Sequence, residues 1–400
     1  MKKILLLGGS PQQVVAIKTA RRLGLKTVLC DYLPDNPGQI FADRYYNVST
    51  TKKEEILDVA IKEDVDGIIA YASDPAAPTA AYVAEKLGLP TNPYSSVDMF
   101  CHKDKFREFL RNNNFNAPES LRISDTDYIN NLPTRIHFPV IVKPVDSSGS
   151  KGVSIVNEIN DLESKIEYAM NFSRSHCVIV ETYIEKKHKY LIGGDVFVYN
   201  SKIVLWGLMN CHRDSSVNPL VPVGKSFPLD LSDDDVLKVK KVLQRIVEKA
   251  GIRNGPMNVE LIIDKDGQVW PIDIGPRSGG NMIPDLLKHI FGVDIVEMCI
   301  KCAMGQEDVL NGIREYIGNG YYVSYNIHAE TNGILKELYF DSKIKEFIVE
   351  KNIYKRKGDS VNRFDNASDA LGVVIFKFDT LERMKNFLDD PKKWIKVILD

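Results

Sequence analysis

Two acidic residues on the arms of one expected hairpin carry the clearest chemistry in the sequence. The run Asn258-Val259-Glu260-Leu261-Ile262-Ile263-Asp264-Lys265-Asp266-Gly267-Gln268-Val269-Trp270-Pro271-Ile272-Asp273 joins two β-rich arms through Asp266-Gly267, a dipeptide suited to two-residue hairpin turns. A two-residue turn there sets Asp264 opposite Val269, Glu260 opposite Asp273 and Asn258 opposite Gly275, with Asn258 and Glu260 on one face. Carboxylates so placed have Cβ atoms about 4.5–5.5 Å apart and repel unless protonated or bridged by cations. Two-metal sites space their ions by ~3.5–4 Å, which fits, and oxygen donors select Mg²⁺ or Mn²⁺ over zinc. The bland alternative is a solvated hairpin face. Just beyond, Gly275-Pro276-Arg277-Ser278-Gly279-Gly280-Asn281 supplies a permanent cation and a glycine-rich turn able to clamp an anion.

Two further segments could handle phosphate and base. Phe138-Pro139-Val140-Ile141-Val142-Lys143-Pro144 delivers a lysine at the end of an apolar strand, followed by the small-residue loop Ser147-Ser148-Gly149-Ser150-Lys151-Gly152. Amides of such a loop cradle phosphate oxygens. The lysine precedes the glycines, so this is not a P-loop. Val178-Ile179-Val180-Glu181-Thr182-Tyr183-Ile184 runs from a strand into a connector whose backbone could meet an adenine edge. Asp74, after the Gly67–Tyr71 run, and His212-Arg213, after Ile203–Leu208, are candidates for substrate contact. Cys299-Ile300-Lys301-Cys302 lies in a helical pattern and reads as two buried thiols on one face.

The elements that must position these groups change character along the chain. Lys3–Leu7, Lys26–Cys30 and Gly67–Tyr71 read as strands alternating with helices over Val14–Leu23, Glu54–Glu63 and Thr79–Leu87, which predicts a parallel sheet with right-handed crossovers. Gly8-Gly9-Ser10-Pro11-Gln12-Gln13 with Asp31 is only a partial dinucleotide fingerprint. One helix is expected over Val97–Arg111, then short strands and a helix over Asp161–Met170. From residue 195 hairpins take over, and the last ninety residues read as a closing lobe. With 400 residues, 52 basic and 54 acidic side chains well mixed, bulk attraction to duplex nucleic acid is not expected. The apolar run Ile4–Leu7 ends after four residues, short of the ~7–15 of a secretory core, and no run reaches the ~18–20 of a membrane helix. Six scattered cysteines make no disulfide framework. The expectation is a soluble cytoplasmic protein with no membrane or nucleic-acid partner.

The order of these parts resembles the ATP-grasp superfamily, the fold of biotin carboxylase, D-alanine–D-alanine ligase, carbamoyl phosphate synthetase and the purine-pathway carboxylate–amine ligases. The likeness runs through Asp104-Lys105 opening a helix that ends near Asn116-Ala117-Pro118, Val142-Lys143-Pro144 with its loop, Val180-Glu181, Glu260/Asp273 and Pro276-Arg277. It implies an α/β and α+β architecture: a Rossmann-like leading domain (1–103), a small ATP-grasp subdomain with a mobile lid (104–190), a large subdomain with the metal site (191–312) and a C-terminal closing lobe (313–400). By the same resemblance, Lys105 and Lys143 would hold ATP phosphates, and Ser147, Ser148, Gly149 and Gly152 would close over them. Glu181, Tyr183 and Ile184 would line the adenine site, Glu181 accepting from the exocyclic amine, and Asp195 would approach the ribose. Glu260 and Asp273 would bind magnesium, with Mn²⁺ as a substitute, and Arg277 would steady the substrate carboxylate and its acyl phosphate.

The family usually has Glu-x-Asn-x-Arg where this chain has Asp273-Ile274-Gly275-Pro276-Arg277. Asn258, across from Gly275, is the candidate for the missing amide oxygen. The implied activity is ATP- and Mg²⁺-dependent ligation of a small carboxylate to an amine through an acyl phosphate. The alternatives are a bicarbonate-phosphorylating, carboxylase- or carbamoyl phosphate synthetase-like enzyme, and a nucleotide-binding regulator without turnover. Small-molecule partners and a homodimer, common in the superfamily, complete the expectation.

Overall fold

The computed structural model describes residues 1–124, 136–310 and 320–400. Strands β1 (Lys3–Leu7), β2 (Lys26–Asp31), β3 (Arg44–Asn47) and β4 (Gly67–Ile69) form a parallel sheet in the order β3-β2-β1-β4. Alternate residues of β1 feed two cores: Ile4 and Leu6 pack with Ala16, Ile17 and Ala20, whereas Leu5 and Leu7 pack with Ile56 and Val59. Helices therefore cover both faces, which is why the strand is a continuous apolar run. β3 carries no such run and has no sequence signal; Glu63 holds it through Arg44 (2.7 Å) and Tyr46 (2.5 Å).

The helix expected over Val97–Arg111 is two helices, Tyr94–Phe100 and Lys103–Asn112. His102 is extended (φ −125°, ψ 113°), and the Lys103 amide, an orphan of the new helix start, donates to the Val145 carbonyl at 2.9 Å. The break ties this helix to the loop after the next strand pair. β5 (Ser120–Ile123), β6 (Val140–Pro144), β7 (Ser154–Val156) and β8 (Val178–Thr182) form an antiparallel sheet in the order β5-β8-β6-β7. The helix Leu162–Met170 packs on it through Leu162, Ile166 and Ala169.

A larger sheet begins with β9 (Leu191–Tyr199), β10 (Lys202–Asp214), β11 (Asn218–Phe227), β12 (Gly255–Ile263), β13 (Val269–Gly275) and β14 (Tyr321–Ile327). The helix Asp233–Ala250 joins β11 to β12 and buries Val239, Leu243, Ile246 and Val247. Ser232 caps it, Asp233, Asp234 and Asp235 complement its N-terminal dipole, and Gly251 at φ +65° ends it. The chain then adds β15 (Gly333–Phe340), β16 (Ile348–Ile353), β17 (Ser360–Val361), β18 (Gly372–Phe378) and β19 (Ile395–Leu399). β18 and β16 extend the large sheet to the order β13-β12-β9-β10-β11-β14-β18-β16, and β17-β15-β19 form a small sheet. The segment expected as a separate closing lobe thus shares the sheet that carries the site; the expected boundary at 312/313 lies outside the described residues. Among the described residues no helix is long and apolar enough to cross a membrane.

Candidate active site

The β12–β13 hairpin places Glu260 opposite Asp273 and Asn258 opposite Gly275, by a different route from the one expected. The Gly267 amide donates to Asp264 O and the Asp264 amide to Gln268 O, both at 3.0 Å. The loop is therefore the three residues Lys265-Asp266-Gly267, with Gly267 left-handed at φ +76°, a conformation that favours glycine. Asp264 consequently faces Gln268 and not Val269, and Leu261 faces Pro271. Carried on unbroken, this register would put Ile272 across from Glu260. A bulge at that point absorbs Ile272 and brings Asp273 back opposite Glu260. Pro271 is tolerated because β13 is the sheet's edge.

This pair has the donor set expected for a hard divalent cation. Among the described residues the Glu260 carboxylate meets only Arg213, at 3.4 Å, too long for a strong bond. Asn258 Nδ2 donates to Asp195 Oδ1 (2.7 Å) and Gly194 O (3.2 Å), which fixes the amide's orientation; among the described residues no donor meets its oxygen. Two carboxylates and an amide oxygen suit Mg²⁺, which takes few protein ligands and keeps room for water and phosphate oxygens. Asp195, expected near a ribose, instead braces the metal side: its Oδ1 accepts from Asn258 and its Oδ2 from the Gly279 amide, at 2.7 Å each. Burial raises its pKa against those two hydrogen bonds.

The two lysines expected at ATP phosphates lie in different surroundings. Lys105 Nζ bonds Asp98 at 2.5 Å with its side chain half exposed; the helix break at His102 turns it toward the preceding helix. Lys103, at the first helical position, reaches Ser147 O at 2.8 Å and is the lysine at the loop. Lys143 is buried and pairs with Glu181 (2.6 Å), which also receives Arg107 through Nε (2.6 Å) and Nη2 (3.3 Å). Glu181 thus serves a buried ion triad, with both of its carboxylate oxygens accepting from Arg107 or Lys143. Burial alone would raise its pKa, but Arg107 and Lys143 outweigh that and hold the carboxyl down at about 2. In the connector the Tyr183 amide is taken by Pro139 O at 3.0 Å, while the Ile184 amide has no backbone partner among the described residues.

Asp74 and Arg277, each expected to touch substrate, hold each other across 203 positions, Nε–Oδ1 at 2.7 Å and Nη2–Oδ2 at 2.5 Å. Arg277 Nη1 donates to Ser278 O. Burial opposes the charge on Asp74, yet Arg277 keeps its carboxyl below the usual range, with Lys103 and Ser148 adding to the effect. A Cβ at residue 275 would lie 2.7 Å from Asp74 Oδ1, so Gly275 is what lets the leading domain's carboxylate reach Arg277. Asp74, the loop residues Ser148–Lys151, Glu260, Asp273 and Arg277 line one cleft of about 270 Å³. Gly149 (φ +69°), Ser150 (φ +60°) and Gly152 (φ +71°) turn the loop, and Ser150 Oγ fastens it to Leu220 O at 3.0 Å.

His212 belongs elsewhere. Its Nε2 meets Ser226 Oγ at 2.8 Å and its ring packs on Tyr190. Burial, helped by Arg213, Lys189 and Lys225, lowers its pKa to about 3, so it is a neutral core histidine. The Gly8-Gly9 turn is likewise filled by protein: a Cβ at Gly8 would strike Gln13 Nε2 (2.2 Å) and one at Gly9 would strike Asn36 Oδ1 (2.0 Å). Cys299 and Cys302 are free thiols whose pKa burial pushes up, to about 12 for Cys302.

Lys103, Arg107, Lys225 and Asn326 escaped the motif reading. Arg107 had a signal, a helical position beside Phe106 and Leu110 where a charge is out of place; Lys225 and Asn326 sit in strands with no motif around them.

The model of the ATP-grasp domain family matches residues 136–285. The carbamoyl phosphate synthase large chain of Pseudothermotoga lettingae is 24% identical over 330 residues, 76% of this chain but only 28% of that one. The chain thus spans less than a third of that relative. The crystal structure of phosphoribosylglycinamide synthetase from Anaerococcus prevotii aligns over 100% of both chains with a TM-score of 0.77 and 25% identity. That of L-amino acid ligase from Bacillus licheniformis aligns over 100% of this chain and 99% of that one, with a TM-score of 0.82 and 19% identity, a likeness of fold alone.

Proposed function

Residues 136–285 being an ATP-grasp domain, we propose that the protein is an ATP- and Mg²⁺-dependent ligase that activates a small carboxylate as its acyl phosphate and passes the acyl group to an amine. The observation that carries this reading is the Glu260–Asp273 pair in a cleft lined also by a glycine–serine loop and Arg277, with Lys103 bonded to the Ser147 carbonyl of that loop. Glu260, Asp273 and the Asn258 oxygen would hold magnesium, which supplies charge neutralisation for the phosphoryl group.

The carboxylate leaving group is otherwise oxide-like and poor. In the first step a substrate carboxylate oxygen forms a bond to the γ-phosphorus of ATP and the bond to the β–γ bridging oxygen breaks, releasing ADP. In the second, the amine nitrogen attacks the acyl carbon, inorganic phosphate leaves, and the nitrogen gives up a proton. No protein nucleophile is needed; positioning and electrostatic stabilisation do the catalysis. Lys103 at the loop and Lys143 at the strand end would hold phosphate oxygens. Lys143 keeps donors to spare, since an ammonium has three and Glu181 occupies one direction. Arg277, braced by Asp74, would face charge growing on the phosphoryl oxygens. The loop 147–152 would exclude water from the labile acyl phosphate, and the free Ile184 amide would meet the adenine edge.

The test is ADP release with purified protein, ATP and Mg²⁺ against panels of amino acids, sugar acids and bicarbonate, with hydroxylamine as acyl-phosphate trap. Acid-dependent ADP release, trapped hydroxamate and loss of both with EDTA are expected. Glu260→Gln and Asp273→Asn should each lower the rate by about 100-fold or more. ADP release that EDTA or these variants leave unchanged would overturn the reading.

A further inference from the structure

Resting on the ligase reading, we infer that Lys225 and Asn326 form the acid-recognition face of the cleft. The acid they take carries a hydrogen-bond donor next to its carboxylate, as an α-amino or α-hydroxy acid does. Both residues line the cleft with Glu260 and Asp273. Lys225 on β11 lies directly opposite Ser324 on β14, and Asn326, two residues on, shares that face.

Lys225 is buried, and its only hydrogen bond among the described residues goes to Cys211 Sγ at 2.8 Å, a weak acceptor. No carboxylate pairs with it among the described residues. A buried ammonium without an anion is costly, and a bound carboxylate removes that cost. Its position is also set: a Cβ on Gly193 would lie 3.2 Å from Lys225 Nζ and 2.5 Å from Cys211 Sγ. The ammonium therefore stands over Gly193, and Gly193 is the β9 partner of Glu260. The cation is thus beside the carboxylate pair, where the acid must lie to meet the γ-phosphate.

Asn326 supplies the second feature. It is 2% exposed, and Nδ2 donates to Pro222 O at 2.9 Å, which fixes the amide so that Oδ1 is the remaining end. That oxygen is buried with no hydrogen-bond partner. It can only accept, so it discriminates for an N–H or O–H. A cation for the carboxylate and a lone acceptor for its neighbour describe one small ligand.

Calorimetry with protein and MgADP tests this on matched triplets: L-alanine, L-lactate and propionate, and L-phenylalanine, L-phenyllactate and 3-phenylpropionate. In at least one triplet the amino or hydroxy acid should bind about tenfold or more tightly than the member lacking the donor, and which of the two binds separates the ligand classes. Lys225→Met should weaken every member about tenfold or more, Asn326→Leu should erase the preference, and Asn326→Asp, which keeps an acceptor, should retain it. Unchanged MgADP affinity certifies that each variant is folded. Equal binding within the triplets, binding indifferent to Lys225→Met, or no binding in either triplet overturns the inference. Binding with the expected pattern but no ADP release supports the recognition face and refutes the ligase reading. ADP release with no preference does the reverse.

Discussion

Glu181 is ionised in a place where water cannot help it, because Arg107 and Lys143 close around it. A carboxyl whose folded pKa is about 2 against 4.5 unfolded contributes stability above pH 4.5 that is lost as the pH falls toward 2, since only there does the unfolded chain bind the extra proton. The contribution is on the order of 3 kcal/mol. Glu181→Gln removes the anion and leaves two cations buried together. Breaking a buried ion group by deleting one partner costs about 3–5 kcal/mol, so the urea midpoint at pH 7 should fall by that equivalent. The acid limb of the stability profile between pH 4.5 and 2 should flatten in the same variant. Replacing Lys143 by Met in that background should restore part of the loss, because it removes one of the two uncompensated charges. An unchanged acid limb in Glu181→Gln would show that the triad does not carry the pH dependence.

The β12–β13 hairpin is the element that makes a site out of these residues, and it shows how far sequence could be read. Opposition of Glu260 and Asp273 follows from reading Asp266-Gly267 as a two-residue turn, and the structure has the same pair by another route. The loop length and the bulge were not legible, and the two differences cancelled. Nothing local distinguishes a two-residue loop from a three-residue loop closed by a left-handed Gly267, and at the bulge the Ile272 carbonyl accepts from Arg107 Nη2 at 2.6 Å, a partner 165 positions away. That Lys103 and not Lys105 reaches the loop was not legible for a related reason: which of the two does so depends on where the helix starts, and the Lys103 amide that opens it is held by Val145, 42 positions away. Parallel strands with both faces covered were readable from their apolar runs; Arg44–Asn47 was not, being held by Glu63 and not by hydrophobicity.

The same hairpin separates two glycine effects. At Gly267 an added Cβ meets nothing closer than 3.5 Å, so Gly267→Ala pays only the left-handed backbone, about 1–2 kcal/mol, and should leave Mg²⁺-dependent activity intact. At Gly279 the Cβ would lie 2.8 Å from both Asn258 Nδ2 and Asp195 Oδ1. Gly279→Ala should therefore weaken the Mg²⁺ requirement curve about tenfold or more, read as the Mg²⁺ concentration for half-maximal ADP release. Equal curves for the two variants would detach Asp195 and Asn258 from the metal side.

At the scale of the whole molecule the cleft proposed as the active site is assembled from parts of the chain that fold around different sheets. Asp74 follows β4 in the leading domain, Ser148 lies in the loop after β6, and Arg277 follows β13. One cluster joins all three. The leading domain is seated close: a Cβ on Gly67 would be 2.5 Å from Ala303 O, and Arg22 pairs with Asp294 and Glu297 at its periphery. Those peripheral pairs are exposed, worth about 0–1 kcal/mol, whereas Asp74–Arg277 is a bidentate pair in the interior of the seam. Asp74→Asn keeps the size and one acceptor but removes the charge that orients Arg277. The guanidinium then loses the carboxylate that two of its nitrogens bond, and stability should fall by about 3 kcal/mol. On the proposed role of Arg277 against charge that develops during phosphoryl transfer, kcat should drop about tenfold or more while KM for ATP changes less than about threefold. Asp74→Glu should not rescue it, since the Asp74 carboxylate already lies so close to Gly275 that an added Cβ there would be 2.7 Å from Oδ1, and a longer side chain would shift that oxygen off Arg277. Steady-state kinetics decide the matter: a variant that loses stability with kcat intact would make Asp74 a clasp between domains, and one that loses kcat makes it the residue through which the leading domain sets the catalytic arginine.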